Sequence, residues 1–366
     1  MIKITEGNLL NASTEALVNT VNTEGVMGKG IALQFKQAFP NMFKAYQAAC
    51  KTKEVRVGEM NIYDLGGLDN GPNWIINFPT KSHWRSKSRI QDIELGLIDL
   101  IKTIKRLEIK SIAIPPLGCG YGGLDWEEVR PLIEQAFSNL TDVDIRLYSP
   151  SGAPAITEMF NNTNRPNMTE GRASLIILMT QYLNGQLSPF ISLLEIHKLM
   201  YFMQESGQKL RLSYEAKQYG PYAKEIRQVL IKLDGHYLQG YGDGQDNPDK
   251  PIEILPDAFE TAMDFLSNHA DVLDRMAQVH KLIEGFEDPY GMELLSSVHW
   301  VMAHNEEAKI NPEVAIQEVQ KWNNRKKLTL KPAHMLKAWQ RLKDNGWDSH
   351  FNAELTPFKL NQPMSQ

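Results

Sequence analysis

The strongest constraint on the fold is a unit that occurs twice: a β-prone run leads through a glycine-rich loop into a helix. The first copy is ALVNTVNTEGVMGKGIALQF, with its loop at residues 22–32. The second is SIAIPPLGCGYGGLDWEEV, with its loop at residues 115–126. Glycine lets backbone N–H groups come close to a ligand and adopt positive φ. The helix that follows adds free N–H donors and a partial positive charge. Two such loops at the ends of strands in one sheet can hold two phosphates of one ligand, where open α/β sheets take their ligands. Neither loop is a Walker A motif. GCGYGG has the GxGxxG spacing, but it comes late and lacks the acidic residue expected on a following strand about 20 residues on. A tight β–α turn explains one such loop, but it explains two less readily.

The rest of residues 1–150 fits that frame. β-rich runs are IKIT, ALVNTVN, EMNIYDL, WIINFP, SIAIPP and DIRLYSP. Helical patterns lie between them: a pair separated by Pro40, a long helix near 90–107, and one opened by Asp125 as N-cap with Glu128 three residues on. In the long helix Ile93, Leu97, Leu100, Ile101 and Ile104 form one stripe. The order β-β-α-α-β-β-α-β-α-β predicts a mixed sheet flanked by helices. Residues 151–170, rich in Pro, Asn and Thr, read as a linker. Residues 171–366 read as a mainly α-helical domain, with strands expected only near KLRLSYEAK and PIEIL. PYAKEIRQVLIKL reads as a helix throughout.

Charge narrows the partners. Residues 1–150 carry 17 basic and 17 acidic side chains, so the net charge of −5 comes entirely from the rest. Nothing draws the whole chain to nucleic acid. Residues 234–274 hold ten acids and one base, Lys250. That stretch reads either as a solvated surface or as a face for a basic partner. The basic run WNNRKKLTLK is the one local alternative for DNA contact in this half. No run of about 18 apolar residues predicts a membrane span, and the N-terminus lacks a signal-peptide profile. Cys50 and Cys119 give neither a disulfide framework nor metal spacing, so a reducing cytoplasm is expected, with no metal and no cofactor. His197, among apolar helical residues, reads as a core histidine.

One strand ends oddly. NWIINFPT reads as a buried strand, yet it finishes in Lys81. Three roles fit this lysine: a snorkelling surface residue, a partner for phosphate, or a catalytic amine whose pKa is lowered by shielding and neighbouring cations. His83, Trp84, Arg85, Lys87 and Arg89 follow it. Cations interleaved with an aromatic can hold a nucleic-acid backbone and stack a base; the alternative is an ordinary charged loop.

These motifs, in this order and spacing, resemble the macrodomain family, which binds ADP-ribose between two such loops. The resemblance covers roughly residues 1–150. EGNLL, VNTVNTEGVMGKGIA, NFPTKSHWR and PPLGCGYGGLDW together are similar to the DarG family, the DNA ADP-ribosyl glycohydrolase antitoxins of DarT/DarG toxin–antitoxin systems. HKLMYFMQ…YEAKQYGPYAKEIRQVL resembles their C-terminal region. The resemblance implies a glycohydrolase with Lys81 as the catalytic residue. In lysine-dependent relatives the amine attacks the anomeric carbon of the distal ribose. It also implies contacts to ADP-ribose from Asn8, Leu9, Asn22, Gly28, Lys29, Gly30, Ile31, Thr80, Leu117, Gly118, Cys119, Gly120, Tyr121 and Gly122. Asn8 stands where the family usually has an aspartate at the adenine, and Asn22 matches the asparagine that reaches the distal ribose. His83, Trp84 and Arg85 are the candidate DNA contacts. The implied substrate is ADP-ribosylated single-stranded DNA, with thymidine the expected base. The implied partner is a DarT-like DNA ADP-ribosyltransferase toxin bound by the C-terminal domain. The terminal ADP-ribose glycohydrolases pair their lysine with an aspartate in the second loop, where this chain has Gly122. A non-catalytic ADP-ribose-binding module with an interaction domain is the competing reading.

Overall fold

The computed structural model describes residues 2–67, 71–150, 154, 159–186, 189–242 and 247–348. It divides into two compact units, Met1–Asn164 and Arg165–Gln366.

The first unit is built on a six-stranded sheet of order β1-β6-β5-β2-β4-β3. Its strands are β1 (Ile2–Thr5), β2 (Ala16–Asn22), β3 (Asn61–Asp64), β4 (Trp74–Lys81), β5 (Ser111–Ile114) and β6 (Asp144–Tyr148). All pairs are parallel except β3 with β4. Helices α1 (Gly30–Ala38), α2 (Pro40–Lys51), α3 (Ile90–Arg106) and α4 (Trp126–Phe137) complete the expected order. Strand alternation sorts the core into two layers. Val18, Ile76, Phe78 and Ile112 pack with Ile93, Leu97, Leu100 and Ile104 of α3 and with Val129 and Ile133 of α4. Leu17, Val21, Ile75 and Ala113 pack with Phe35 of α1 and with Met42 and Tyr46 of α2. Both faces of the sheet are therefore covered.

Within this apolar sheet runs a rung of amides. Asn19 lies opposite Asn77, which lies opposite Asn61. Asn19 Nδ2 donates to Asn77 Oδ1 at 2.9 Å, and Asn77 Nδ2 donates to Asn61 Oδ1 at 3.1 Å. Asn19 and Asn77 are wholly buried. Burial without such partners would cost each amide roughly 1–3 kcal/mol.

Near the end of the expected linker, Asn162 donates from its backbone to Gln37 O and from its side chain to Ala38 O, both at 2.8 Å. This part of the segment therefore belongs to the first unit. Of the expected linker, residues 151–153 and 155–158 lie outside the described residues.

The second unit is helix-rich. Its helices are α5 (Glu170–Asn184), α6 (Leu193–Glu205), α7 (Glu225–Leu233), α8 (Ala258–Leu266), α9 (Ala270–Ile283), α10 (Pro289–His304), α11 (Glu306–Ile310), α12 (Pro312–Trp322), α13 (Asn324–Thr329) and α14 (Pro332–Asp344). α6 is buried along its whole length and α10 along most of it, polar residues such as Lys198 and Glu293 included. Short strands β7 (Ile191–Ser192), β8 (Tyr214–Lys217), β9 (Gly220–Ala223), β10 (Leu238–Gln239) and β11 (Pro251–Ile254) make a three-stranded sheet and a hairpin.

The expected helix PYAKEIRQVLIKL is corrected here: Pro221–Ala223 belong to β9, and the helix begins at Glu225. Long-range contacts hold PYA extended. Lys198 Nζ donates to Pro221 O at 2.7 Å, and the Ala223 amide donates to His197 Nδ1 at 3.4 Å. The His197 ring stacks on Tyr222 at 4.4 Å. His197 is thus a buried core residue.

The basic run WNNRKKLTLK also differs from its reading as a DNA-facing helix. Lys326 is wholly buried and bonds Glu293 and Ser297, each at 2.8 Å, and Arg325 reaches the same Glu293 oxygen at 2.6 Å. Burial pushes the Lys326 amine down to about 8, against the pull of Glu293. Two of its cations are thus committed inward. Parts of the acidic stretch are structural as well. Asp234 accepts from the Tyr241 amide at 2.9 Å, and Asp271 pairs with Arg275 at 2.7 Å. Asp243 and Asp246 lie outside the described residues. Among the described residues, no helix is long and apolar enough to cross a membrane.

Candidate active site

β2 and β4 run in register from Ala16↔Trp74 to Val21↔Pro79, and then the register jumps so that Asn22 faces Lys81. Thr80 is the extra residue of this bulge. Pro79 has no N–H to continue the ladder, and a bulge re-aims the side chain that follows it. Thr80 is buried, and its hydroxyl donates to Val21 O at 3.4 Å. Lys81 thus stands at the carboxyl end of β4, beside the end of β2. The chain continues outward on both sides, with the Thr23 amide and hydroxyl donating to Ser82 O at 3.1 and 2.9 Å.

The first glycine loop spends its Thr23, Glu24 and Val26 amides on Ser82 O and Asn22 Oδ1 and keeps donors at the start of α1. Lys29 is the N-cap residue of α1 and makes no side-chain cap. The amides of Gly30 and Ile31, in the first turn, have no intrahelical partner. Gly30 has φ +56°, and a Cβ there would sit 3.3 Å from the Tyr121 ring. Tyr121 belongs to the second loop, and its side chain is 71% exposed. The two loops therefore meet through this ring, with Lys29 Nζ 5.6 Å from its centroid.

In the second loop the Cys119, Gly123 and Leu124 amides close internal turns on Pro116, Gly120 and Gly118 carbonyls. Among the described residues, the Gly118, Gly120, Tyr121 and Gly122 amides donate to no other group. Leu117 is buried beneath them. Asp125 caps α4, its carboxylate accepting from the Glu127 amide at 3.0 Å. The Cys119 thiol is pushed up to about 11 by burial and by Asp125, so it remains protonated and unreactive near neutral pH.

Lys81 Nζ donates to Tyr121 O at 3.2 Å. Partial burial pulls its amine below the ordinary lysine range. An amine is nucleophilic only when neutral. If Lys81 is the nucleophile, kcat/KM is expected to rise with pH and level off below the usual lysine value of about 10.4. A pH–rate profile checks this, and an inflection at or above that value would refute it.

Two expected ligand contacts look inward. Asn22 Nδ2 donates to Val26 O at 2.6 Å, and its Oδ1 accepts from the Glu24 and Val26 amides at 2.9 and 3.3 Å. Its side chain shapes the loop. Asn8 caps the 3-10 turn Leu9–Asn11, its Oδ1 accepting from the Leu10 amide at 3.0 Å. Leu9 is buried next to it.

Past Lys81, His83 stacks on Trp84 at 5.5 Å, and the Arg85 guanidinium lies 4.5 Å from the Trp84 ring. His83 Nδ1 accepts from the Arg85 amide at 3.0 Å, and its Nε2 lies 3.4 Å from Glu24 Oε2. Sequence reasoning missed Glu24, although it is the only carboxylate in the first loop. It also missed Tyr46, whose buried hydroxyl donates to Asn22 O at 2.5 Å and fixes the end of β2. Among the described residues, no group of three His, Cys, Asp or Glu side chains could hold a metal.

A mixed, mostly parallel sheet covered on both faces, with two amide-lined glycine loops meeting at the ends of its strands, defines a macro domain. Residues 18–133 match the Macro domain family. The chain is 47% identical over 339 residues to the DNA ADP-ribosyl glycohydrolase of Mycobacterium tuberculosis, covering 89% of this chain and 94% of that protein. It is 42% identical over 346 residues to the Thermus aquaticus DNA ADP-ribosyl glycohydrolase, covering 94% of each. A Thermosipho africanus DNA ADP-ribosyl transferase-DNA ADP-ribosyl glycohydrolase fusion protein is 37% identical over 163 residues, covering 41% of this chain and 42% of that one. The chain belongs to the DNA ADP-ribosyl glycohydrolase family, whose members are hydrolases.

Proposed function

We propose that the first unit removes ADP-ribose from modified bases of single-stranded DNA, thymidine being the expected base, with Lys81 as the nucleophile. The observation that carries this reading is the bulge that sets Lys81 beside Asn22, between two loops of unspent amide donors. The loop amides take the diphosphate. The neutral Lys81 amine attacks the anomeric carbon of the distal ribose, the base departs with the bonding electrons and takes a proton, and water then frees ADP-ribose. Cys119 is no competitor as nucleophile, because its thiol stays protonated.

Residues 171–366 form the toxin-binding domain in this reading, and the partner is a DNA ADP-ribosyltransferase. The fusion of both activities in one Thermosipho africanus protein supports that pairing, and with it an antitoxin role. Asp249 belongs to the part of the acidic stretch that is exposed.

The DNA reading rests on the segment His83–Arg85, in which His83 and Trp84 are half-buried and Arg85 is exposed. Stacking of a base on an aromatic contributes about 1–3 kcal/mol, so Trp84→Ala is expected to raise KM for an ADP-ribosylated oligonucleotide roughly 5- to 100-fold. Affinity for free ADP-ribose should stay unchanged. Kinetics on the oligonucleotide, set beside calorimetry with ADP-ribose, separate the two. An unchanged KM would remove Trp84 from the DNA path.

A further inference from the structure

The lysine mechanism needs a group that activates water in its second half, and the second loop has no side chain for it. Gly122 has no carboxylate, and a Cβ there would fall 2.2 Å from Gly118 O. The one acidic residue of that loop, Asp125, is engaged as a helix cap. The remaining carboxylate on either loop is Glu24.

Its position follows from the paired strand ends. Asn22 faces Lys81, Thr23 bonds Ser82, and Glu24 meets His83 at 3.4 Å. These are three successive steps outward from the same bulge. Two residues of extended chain span at most about 7 Å, so the backbone of His83, the partner of Glu24, lies within that distance of Lys81. The tautomer of His83 is set by its surroundings. Nδ1 accepts the Arg85 amide, so the proton of the neutral ring sits on Nε2, which lies 3.4 Å from Glu24 Oε2. The other Glu24 oxygen bonds no other described residue. Both side chains are a little over 40% exposed, so water reaches them.

We infer that Glu24 is the general base that activates the hydrolytic water, held in place by His83 as a positioning residue. The inference rests on the Lys81 reading. In the first step a bond forms between Lys81 Nζ and the anomeric carbon, and the bond from that carbon to the base nitrogen breaks. The ring oxygen then leaves that carbon with its bonding pair and takes the remaining Nζ proton, giving an open-chain imine. In the second step Glu24 takes a proton from water while the water oxygen bonds the imine carbon and the C=N π pair moves to Nζ, which receives that proton from Glu24. The carbon–Nζ bond breaks as Nζ takes the hydroxyl proton, freeing the neutral amine and an aldehyde on which the ring recloses. One water is consumed, and the products are ADP-ribose and the free base.

The test uses the full chain and an ADP-ribosylated single-stranded oligonucleotide. Glu24→Gln keeps an oxygen that can accept from His83 and removes only the basicity. Loss of a general base should lower kcat by about 10²-fold or more, with ADP-ribose affinity unchanged. The distinguishing signature is a burst of restored base followed by an adduct on Lys81, trapped with cyanoborohydride and located by mass spectrometry. A merely structural role for Glu24 predicts no such accumulation. Wild-type kcat in Glu24→Gln, or a lowered kcat without burst and adduct, overturns the inference. Lys81→Ala separates the two levels: if that variant turns over normally, the lysine reading itself fails, whatever Glu24 does.

Discussion

Replacing Lys81 with alanine is expected to abolish release of ADP-ribose from modified DNA while leaving ADP-ribose binding nearly intact. The donors proposed to hold ADP-ribose are backbone amides of the two loops, which the substitution leaves in place. The amine alone is lost, and removing a nucleophile typically costs at least ~10³-fold in turnover. Its hydrogen bond to Tyr121 O is partly exposed, so its loss should cost little in stability. Lys81→Arg sharpens the result. Arginine keeps the positive charge but stays protonated, so it should be as inactive as alanine if Lys81 is a nucleophile. Recovery with arginine would instead indicate an electrostatic role toward phosphate. A protein that binds ADP-ribose but never releases it from DNA, even as wild type, would be a reader rather than an enzyme. Oligonucleotide turnover and calorimetry on the three proteins distinguish these outcomes.

The second large effect concerns Gly122. Restoring the aspartate that the terminal ADP-ribose glycohydrolases carry in this loop should damage the protein rather than improve it. A side chain at 122 would place its Cβ 2.2 Å from Gly118 O and 2.5 Å from Ser88 Oγ. Both neighbours are fixed: the Leu124 amide donates to Gly118 O, and the Ser88 amide donates to Gly122 O. Overpacking of this kind costs about 1–3 kcal/mol. Here that strain lands on the loop that supplies the phosphate donors. Gly122→Asp should therefore weaken ADP-ribose binding roughly 10- to 100-fold and lower turnover with it. Unchanged affinity together with raised activity would mean that the loop tolerates a carboxylate after all.

Much of the first unit was legible because its signals are local and repeated. The strand and helix order follows from alternation and from the Ile93–Ile104 stripe, and the loops announce themselves through glycine. Lys81 was legible as an anomaly, a lysine ending an apolar strand. What stayed hidden depends on contacts distant in sequence. Nothing in GCGYGG says that the Tyr121 ring lies against Gly30, ninety-one residues earlier. Nothing local says that the Asn8 and Asn22 side chains bond the backbone of their own turns. In the second unit, PYAKEIRQVL has a helical period throughout, and pairing with β8 together with Lys198 and His197 holds its first residues extended. Lys326 looked like surface charge because its partner, Glu293, is thirty-three residues away.

The buried rung of Asn19, Asn77 and Asn61 has a consequence beyond the polar groups it satisfies. Aliphatic strands carry no ruler: a slide of two residues returns every side chain to its own face. Amides do carry one, because such a slide would move each donor about 6–7 Å from its acceptor and strand it among hydrocarbon. The alignment of Lys81 against Asn22 is therefore calibrated several residues below the surface, at Asn19 and Asn77. These asparagines thus act as the gauge that decides where the Lys81 amine emerges.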